Sequence, residues 1–227
     1  MRKSDNPSLL FDLDGTLLDT VYAHVQAWSA ALKTFDIPVP QWKIHRRIGM
    51  SGKSLIRQIL REHPNDSRPD VDLDELEKKH DTEFKKIGRD AAPLPGAHEL
   101  LEFLTRREIR WAIATTGSQE QTKQLLQKLH LPSNAPVVTG DDVAKAKPSP
   151  DIFVLAAKRL KVNVSDCIVT GDSVWDVLAA GRKRALAVGL LTGGYSQDEL
   201  ERAGAFRVYT DPADMLLHIE DLGIFEK

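Results

Sequence analysis

Apolar residues are distributed along the chain in two ways. Through much of its length they come in short, nearly continuous runs: Leu9 to Phe11, Ile109 to Ala114, Val137–Val138, Cys167 to Thr170, Ala185 to Leu191 and Phe206 to Tyr209. Unbroken runs of this length are what strands covered on both faces require. Helix-start signals lie between most of them. Ser118 with Gln121, and Ser196 with Glu199, fit capping boxes. Ser149–Pro150 and Asp211–Pro212 each put a capping residue before a proline suited to the first helical position. Strands alternating with such helices predict an α/β fold, a doubly wound parallel sheet with helices on both faces.

Residues 20–92 follow a different pattern. Val21, Val25, Trp28, Leu32 and Phe35 recur at spacings of four and three, which predicts a helix that Asp19–Thr20 can cap. Leu55, Ile56, Ile59 and Leu60 form a second helical stripe after Ser51. Leu73, Leu76, Phe84 and Ile87 form a third, opened by Asp72 with Glu75 and closed by Gly88. No strand pattern interrupts them. The expected organisation is an α/β core of residues 1–19 and 93–227, carrying an all-helical insert of residues 20–92.

Candidate chemistry gathers at the carboxyl ends of the predicted strands, the edge at which open parallel sheets bind ligands. Asp12 and Asp14 follow the first strand, and Gly15 permits an immediate turn. Thr115–Thr116–Gly117–Ser118 leads from the second strand into a helix whose N–H groups suit an anion. Lys147 precedes Pro148, which restricts its backbone. Asp172 and Asp176 open the helix after the fourth strand and share one face. Taken singly, each has a plain alternative: a solvated Asp-Gly turn, a good N-cap, a loop lysine, an N-cap Asp with a first-turn carboxylate.

Taken together, DLDGTLLDT, AIATTGS, KPSPDIF and GDSVWDVLAAGR resemble the four motifs of the haloacid dehalogenase-like superfamily, and the likeness spans nearly the whole chain. The phosphoglycolate phosphatase and β-phosphoglucomutase relatives are the most similar subgroup, and LTGGY (residues 191–195) is typical of it. The resemblance implies a Rossmann-like core, an all-helical mobile cap for the insert, and Mg²⁺-dependent phosphoryl transfer through an aspartyl-phosphate. It further implies Asp12 as nucleophile and Asp14 as general acid and base. Asp12, the Asp14 backbone carbonyl and Asp172 would be metal ligands, with Asp176 behind them. Thr115, Thr116 and Lys147 would bind the phosphoryl group. In ion-pumping relatives a Thr stands where this chain has Asp14, and the dehalogenases lack that second Asp. The expected activity is therefore hydrolysis of a small organic phosphate monoester. The alternatives are a phosphosugar mutase and, third, a non-catalytic binding protein on the same fold.

The insert holds three further candidates. His24 sits one turn into its first helix and resembles the histidine of the β-phosphoglucomutase segment, where it helps couple cap closure to proton transfer; its alternative is packing at the hinge. Arg47 and Lys53 are candidates for an anionic substrate group, or are solvated surface charges. Gly52–Lys53–Ser54 looks like the end of a phosphate-binding P-loop, but Arg47 occupies the position of that motif's first glycine.

Composition narrows the partners. The 227 residues carry 31 Lys and Arg against 33 Asp and Glu, a net charge of -2, so no basic surface for nucleic acid is expected. The lone Cys167 excludes an intramolecular disulfide and a multi-cysteine zinc site. No apolar run reaches the length of a membrane span. Met1 to Ser8 is polar and the following apolar run stops at Asp12, so no secretory leader is expected. The expectation is a cytoplasmic monomer or homodimer acting on a small phosphorylated metabolite.

Overall fold

The computed structural model describes residues 6–62, 71–132 and 134–225. The chain forms two compact units, one of Met1–Asp19 with Ala92–Lys227 and one of Thr20–Ala91.

The first unit is built on a six-stranded, wholly parallel sheet. Its strands are β1 (Ser8–Phe11), β2 (Trp111–Ala114), β3 (Val137–Val138), β4 (Cys167–Gly171), β5 (Leu186–Leu190) and β6 (Arg207–Tyr209), in the order β3-β2-β1-β4-β5-β6. Leu10 pairs with Ala112 on one side and Val169 on the other. The chain thus runs outward from β1 in one direction and then crosses back, and such a reversal of strand order opens a crevice at the carboxyl ends. Leu10, Ala112, Val169 and Ala187 face a core filled by helices α7 (Asp151–Arg159), α8 (Val174–Gly181) and α9 (Gln197–Ala203). Phe153 and Leu10 are wholly buried there; each such side chain contributes about 1.5–3 kcal/mol. On the other face, Thr170 directs its hydroxyl at Met215 of α10 (Pro212–Leu217), which packs beside α5 (Ala97–Arg106).

Several strands begin later than their apolar runs suggest. Glu108 and Arg184 adopt positive φ. The following amides, Ile109 and Ala185, then donate to Leu104 and Ala180 and close the preceding helices instead of joining the sheet. The capping boxes at Ser118, before α6 (Gln119–Leu126), and at Ser196 form as expected, as does the Asp211 cap before Pro212. The helix after Ser149–Pro150 differs: it begins at Asp151 with Pro150 as its N-cap, and the Ser149 hydroxyl donates to the Asp151 carboxylate at 3.0 Å.

The second unit is helical, with α1 (Val21–Thr34), α2 (Gln41–His45), α3 (Gly52–Glu62) and α4 (Leu73–Ile87). Val21, Val25, Trp28, Leu32, Ile44, Leu55, Ile56, Ile59 and Leu76 form its core. Asp72 caps α4, accepting from the Asp74 and Glu75 amides. Thr20 is the N-cap of α1 but makes no side-chain cap bond. At Gly52 an added Cβ would lie 2.9 Å from the Trp28 ring and 2.4 Å from Glu77 Oε1. That glycine lets α3 approach its neighbours closely. No helix of the described residues is long and apolar enough to cross a membrane.

Candidate active site

The loop that leaves β1 carries the first two carboxylates. The Asp12 amide still donates to Thr170 in β4, at 2.9 Å, so the nucleophile candidate sits where the ladder ends. Gly15 then adopts φ 78°, and its amide donates to Leu18 at 2.7 Å, closing the turn. Asp12 is 2% exposed while Asp14 is half-buried. The Thr115 hydroxyl, at the end of β2, donates to Asp14 Oδ2 at 3.2 Å and accepts from the Gly117 amide at 3.1 Å. Thr116 follows, half-buried, its carbonyl 2.4 Å from where a Cβ on Gly140 would stand.

Lys147 reaches the same end of the sheet and is 0% exposed. Its Nζ lies 2.5 Å from Asp12 Oδ1 and 2.8 Å from Asp176 Oδ1, with its charge 5.2 Å from the Phe153 ring centroid. Asp176 is fixed from its other oxygen: the Ser173 hydroxyl and amide both donate to Oδ2, at 2.5 and 3.3 Å. Ser173 is the N-cap of α8, a role the sequence assigned to Asp172 as the plain alternative. Asp172, freed from capping, accepts from the Thr16 hydroxyl at 3.1 Å. Oxygens of Asp12, Asp172 and Asp176 lie within 4.8 Å of one another. The Asp14 side chain is not in that cluster.

Three buried carboxylates thus face one ammonium. Burial pushes the Asp12 carboxyl up to about 7; Lys147 opposes this, and Asp176 and Asp14 add to it. Burial likewise holds Asp172 well above the carboxylate range, with Asp176 and Asp12 reinforcing it. Burial lowers the Lys147 pKa, but Asp12 and Asp176 together outweigh it and hold the ammonium above the usual lysine range. A centre so short of positive charge suits a further cation, and an all-oxygen donor set suits Mg²⁺ rather than a softer metal.

The candidates in the helical unit are placed within that unit. His24 Nδ1 lies 3.0 Å from His80 Nε2, and His80 Nδ1 lies 3.0 Å from Asp81 Oδ1. Trp28 stacks on His80 with centroids 4.1 Å apart, and Phe84 on His24 at 3.9 Å. Arg47 is buried, its guanidinium donating to the Lys43 carbonyl at 2.5 Å and to Glu62. Lys53 pairs with Asp74 at 2.5 Å and Glu77 at 4.0 Å. Both cations are matched by carboxylates of their own unit. Sequence reasoning missed Thr16, Ser173 and His80. Thr16 stands inside the DLDGT motif, but nothing in the sequence names its distant partner.

The chain has clear matches among known proteins. Residues 8–182 match the family model of the haloacid dehalogenase-like hydrolases. Hexitol phosphatase A of Escherichia coli is 32% identical over 172 residues, 75% of this chain and 76% of the relative. The β-phosphoglucomutase of Bacillus subtilis is 28% identical over 218 residues, 94% of each. A solved hydrolase from Pseudomonas syringae superposes with a TM-score of 0.89 at 44% identity, over 95% of this chain and 99% of the other. Six parallel strands in this order, with the motif residues at their carboxyl ends, and a family match over most of the chain lead to one assignment: the chain belongs to the haloacid dehalogenase-like hydrolases and is an enzyme of that family.

Proposed function

We propose that the enzyme is a Mg²⁺-dependent phosphatase of small organic phosphate monoesters, working through an aspartyl-phosphate on Asp12. The observation that carries this reading is the contact of Lys147 with Asp12 inside a buried acidic cluster. A carboxylate attacking a phosphate dianion meets strong repulsion, and the surrounding aspartates deepen it. Asp12, Asp172 and the Asp14 backbone carbonyl would hold Mg²⁺, which supplies the charge neutralisation that lets two anions meet.

The chain's own residues account for the rest. One Asp12 oxygen attacks phosphorus as the bond to the leaving alkoxide breaks, and Asp14 protonates that alkoxide. Asp14, then a carboxylate, takes a proton from water as the water oxygen attacks phosphorus and Asp12 is released. The Thr115 hydroxyl, the Thr116 N–H and the Lys147 ammonium stabilise the phosphoryl oxygens. Asp176 holds Lys147 in place. Residues 20–91 would act as a cap that shelters the first transfer and admits one water for the second.

The His24–His80–Asp81 chain and the likeness to a β-phosphoglucomutase favour a second reading, a phosphosugar mutase. Two measurements test the pair. Hydrolysis of an aryl phosphate should require Mg²⁺, vanish in excess chelator and not return with Ca²⁺, whose higher coordination number would occupy both Asp12 oxygens; activity in excess chelator would refute the metal-dependent mechanism. With β-glucose 1-phosphate and a catalytic amount of the 1,6-bisphosphate, phosphate should appear faster than glucose 6-phosphate. The reverse order would install the mutase.

A further inference from the structure

We propose that Thr16 and Gly193 are positioning residues that fix the orientation of the Asp172 carboxylate and thereby set the affinity of the metal site. The inference rests on the reading of Asp172 as a ligand and adds to it which residues make Asp172 a good one.

Two constraints act on the two oxygens of Asp172. Thr16 is wholly buried, and its hydroxyl proton goes to Oδ1 at 3.1 Å. On the other oxygen the constraint is space. A Cβ on Gly193 would stand 2.0 Å from Oδ2, and 2.7 Å from both the carboxyl carbon and the Asp172 backbone oxygen. Gly193 does not have positive φ, so its backbone conformation is open to other residues. Glycine is required there by Asp172, most tightly by its carboxylate and also by its backbone oxygen.

A second hydroxyl holds this arrangement together. Thr192, beside Gly193, donates to the backbone carbonyl of Gly15, the residue before Thr16. The loops after β1, β4 and β5 are therefore tied by two threonines, each adjacent to a glycine, with the Asp172 carboxylate clasped between them. A buried carboxylate held this way meets a cation in one pose, without the entropy cost of first being ordered.

The test is calorimetric titration of Mg²⁺ into the substrate-free protein. Thr16→Val keeps the shape and removes the donor, and should weaken Mg²⁺ binding by about 10–100-fold, the usual effect of losing a partner behind a ligand. Thr16→Ser, which restores the hydroxyl, should restore the affinity. Gly193→Ala should weaken binding at least as much. Wild-type affinity in Thr16→Val, or failure of Thr16→Ser to recover it, would overturn the proposal. Should Thr16→Val not fold, Gly193→Ala decides: undiminished binding there overturns it, weakened binding supports it. Asp172→Asn separates this from the underlying reading. If that variant binds Mg²⁺ like wild type, Asp172 is no ligand and the reading itself fails.

Discussion

Lys147 Nζ lies 2.5 Å from Asp12 Oδ1, with neither side chain open to solvent. The lysine also answers Asp176, so its removal would leave two buried carboxylates facing each other without a cation. Lys147→Met should therefore destabilise the protein by about 3–5 kcal/mol, the cost of breaking a buried pair from one side. Urea unfolding of the metal-free protein measures this. A change below about 1 kcal/mol would mean that the contact is held by packing, chiefly against Phe153, rather than by charge.

Asp12→Asn should abolish turnover and leave the fold intact. The amide is no nucleophile and is a poorer metal ligand, so a loss on the order of a thousandfold or more is expected. Steady-state kinetics on protein free of contaminating phosphatase decides it. Activity within about tenfold of wild type would remove Asp12 from the mechanism.

Stability of the chelated protein should fall as pH rises between the two pKa values of Asp12. The folded carboxyl titrates near 7 and the unfolded one near 3.8. Between them the native state carries a proton that the unfolded chain has released, and raising the pH removes that advantage. Asp172, shifted in the same direction, adds to the effect. Thermal melts across this range should show a negative slope that Asp12→Asn diminishes. Saturating Mg²⁺, which binds the ionised form, should reverse it. A slope equal in wild type and Asp12→Asn would contradict the assignment.

In the helical unit, His80→Ala should do more harm to stability than His24→Ala. His80 is 5% exposed and lies against Trp28, whereas His24 is half-buried. A loss of about 1–3 kcal/mol is expected for His80→Ala from the cavity and the unsatisfied partners. His24→Ala should slow phosphatase turnover by about tenfold or less, short of losing a general acid or base. Loss of more than about a thousandfold would make His24 essential to proton transfer and revive the mutase.

Much of this was legible before any coordinates. The six strands announce themselves because a parallel sheet covered on both faces needs runs such as Leu9 to Phe11. Their starts are less legible, because Glu108 and Arg184 end helices in the left-handed region without being glycine. Helix α2, five residues long, is too short to display a period. At the site, Asp12, Asp14, Asp172 and Asp176 are visible as motifs because each follows a strand or opens a helix, and Lys147 because Pro148 follows it in the loop before α7. Their supports are not. Thr16 finds its partner 156 residues away and His24 its own 56 away, and no local pattern encodes either pairing.

The chain leaves the sheet unit at Asp19 and rejoins it at Ala92, and the Asp19 amide donates to the Ala92 carbonyl at 2.9 Å. Leu94 returns a second bond to Leu17, at 3.0 Å. The excursion therefore begins and ends at adjacent backbone atoms. A detour with its two ends clasped costs the host little more closure entropy when it lengthens, since each doubling adds only about 0.6 kcal/mol. Residues between the clasps are free to be lengthened, rewritten or exchanged while the sheet keeps its register. The fold thereby leaves the inserted unit open to change at a rate that the sheet unit, which holds the buried aspartates, could not survive.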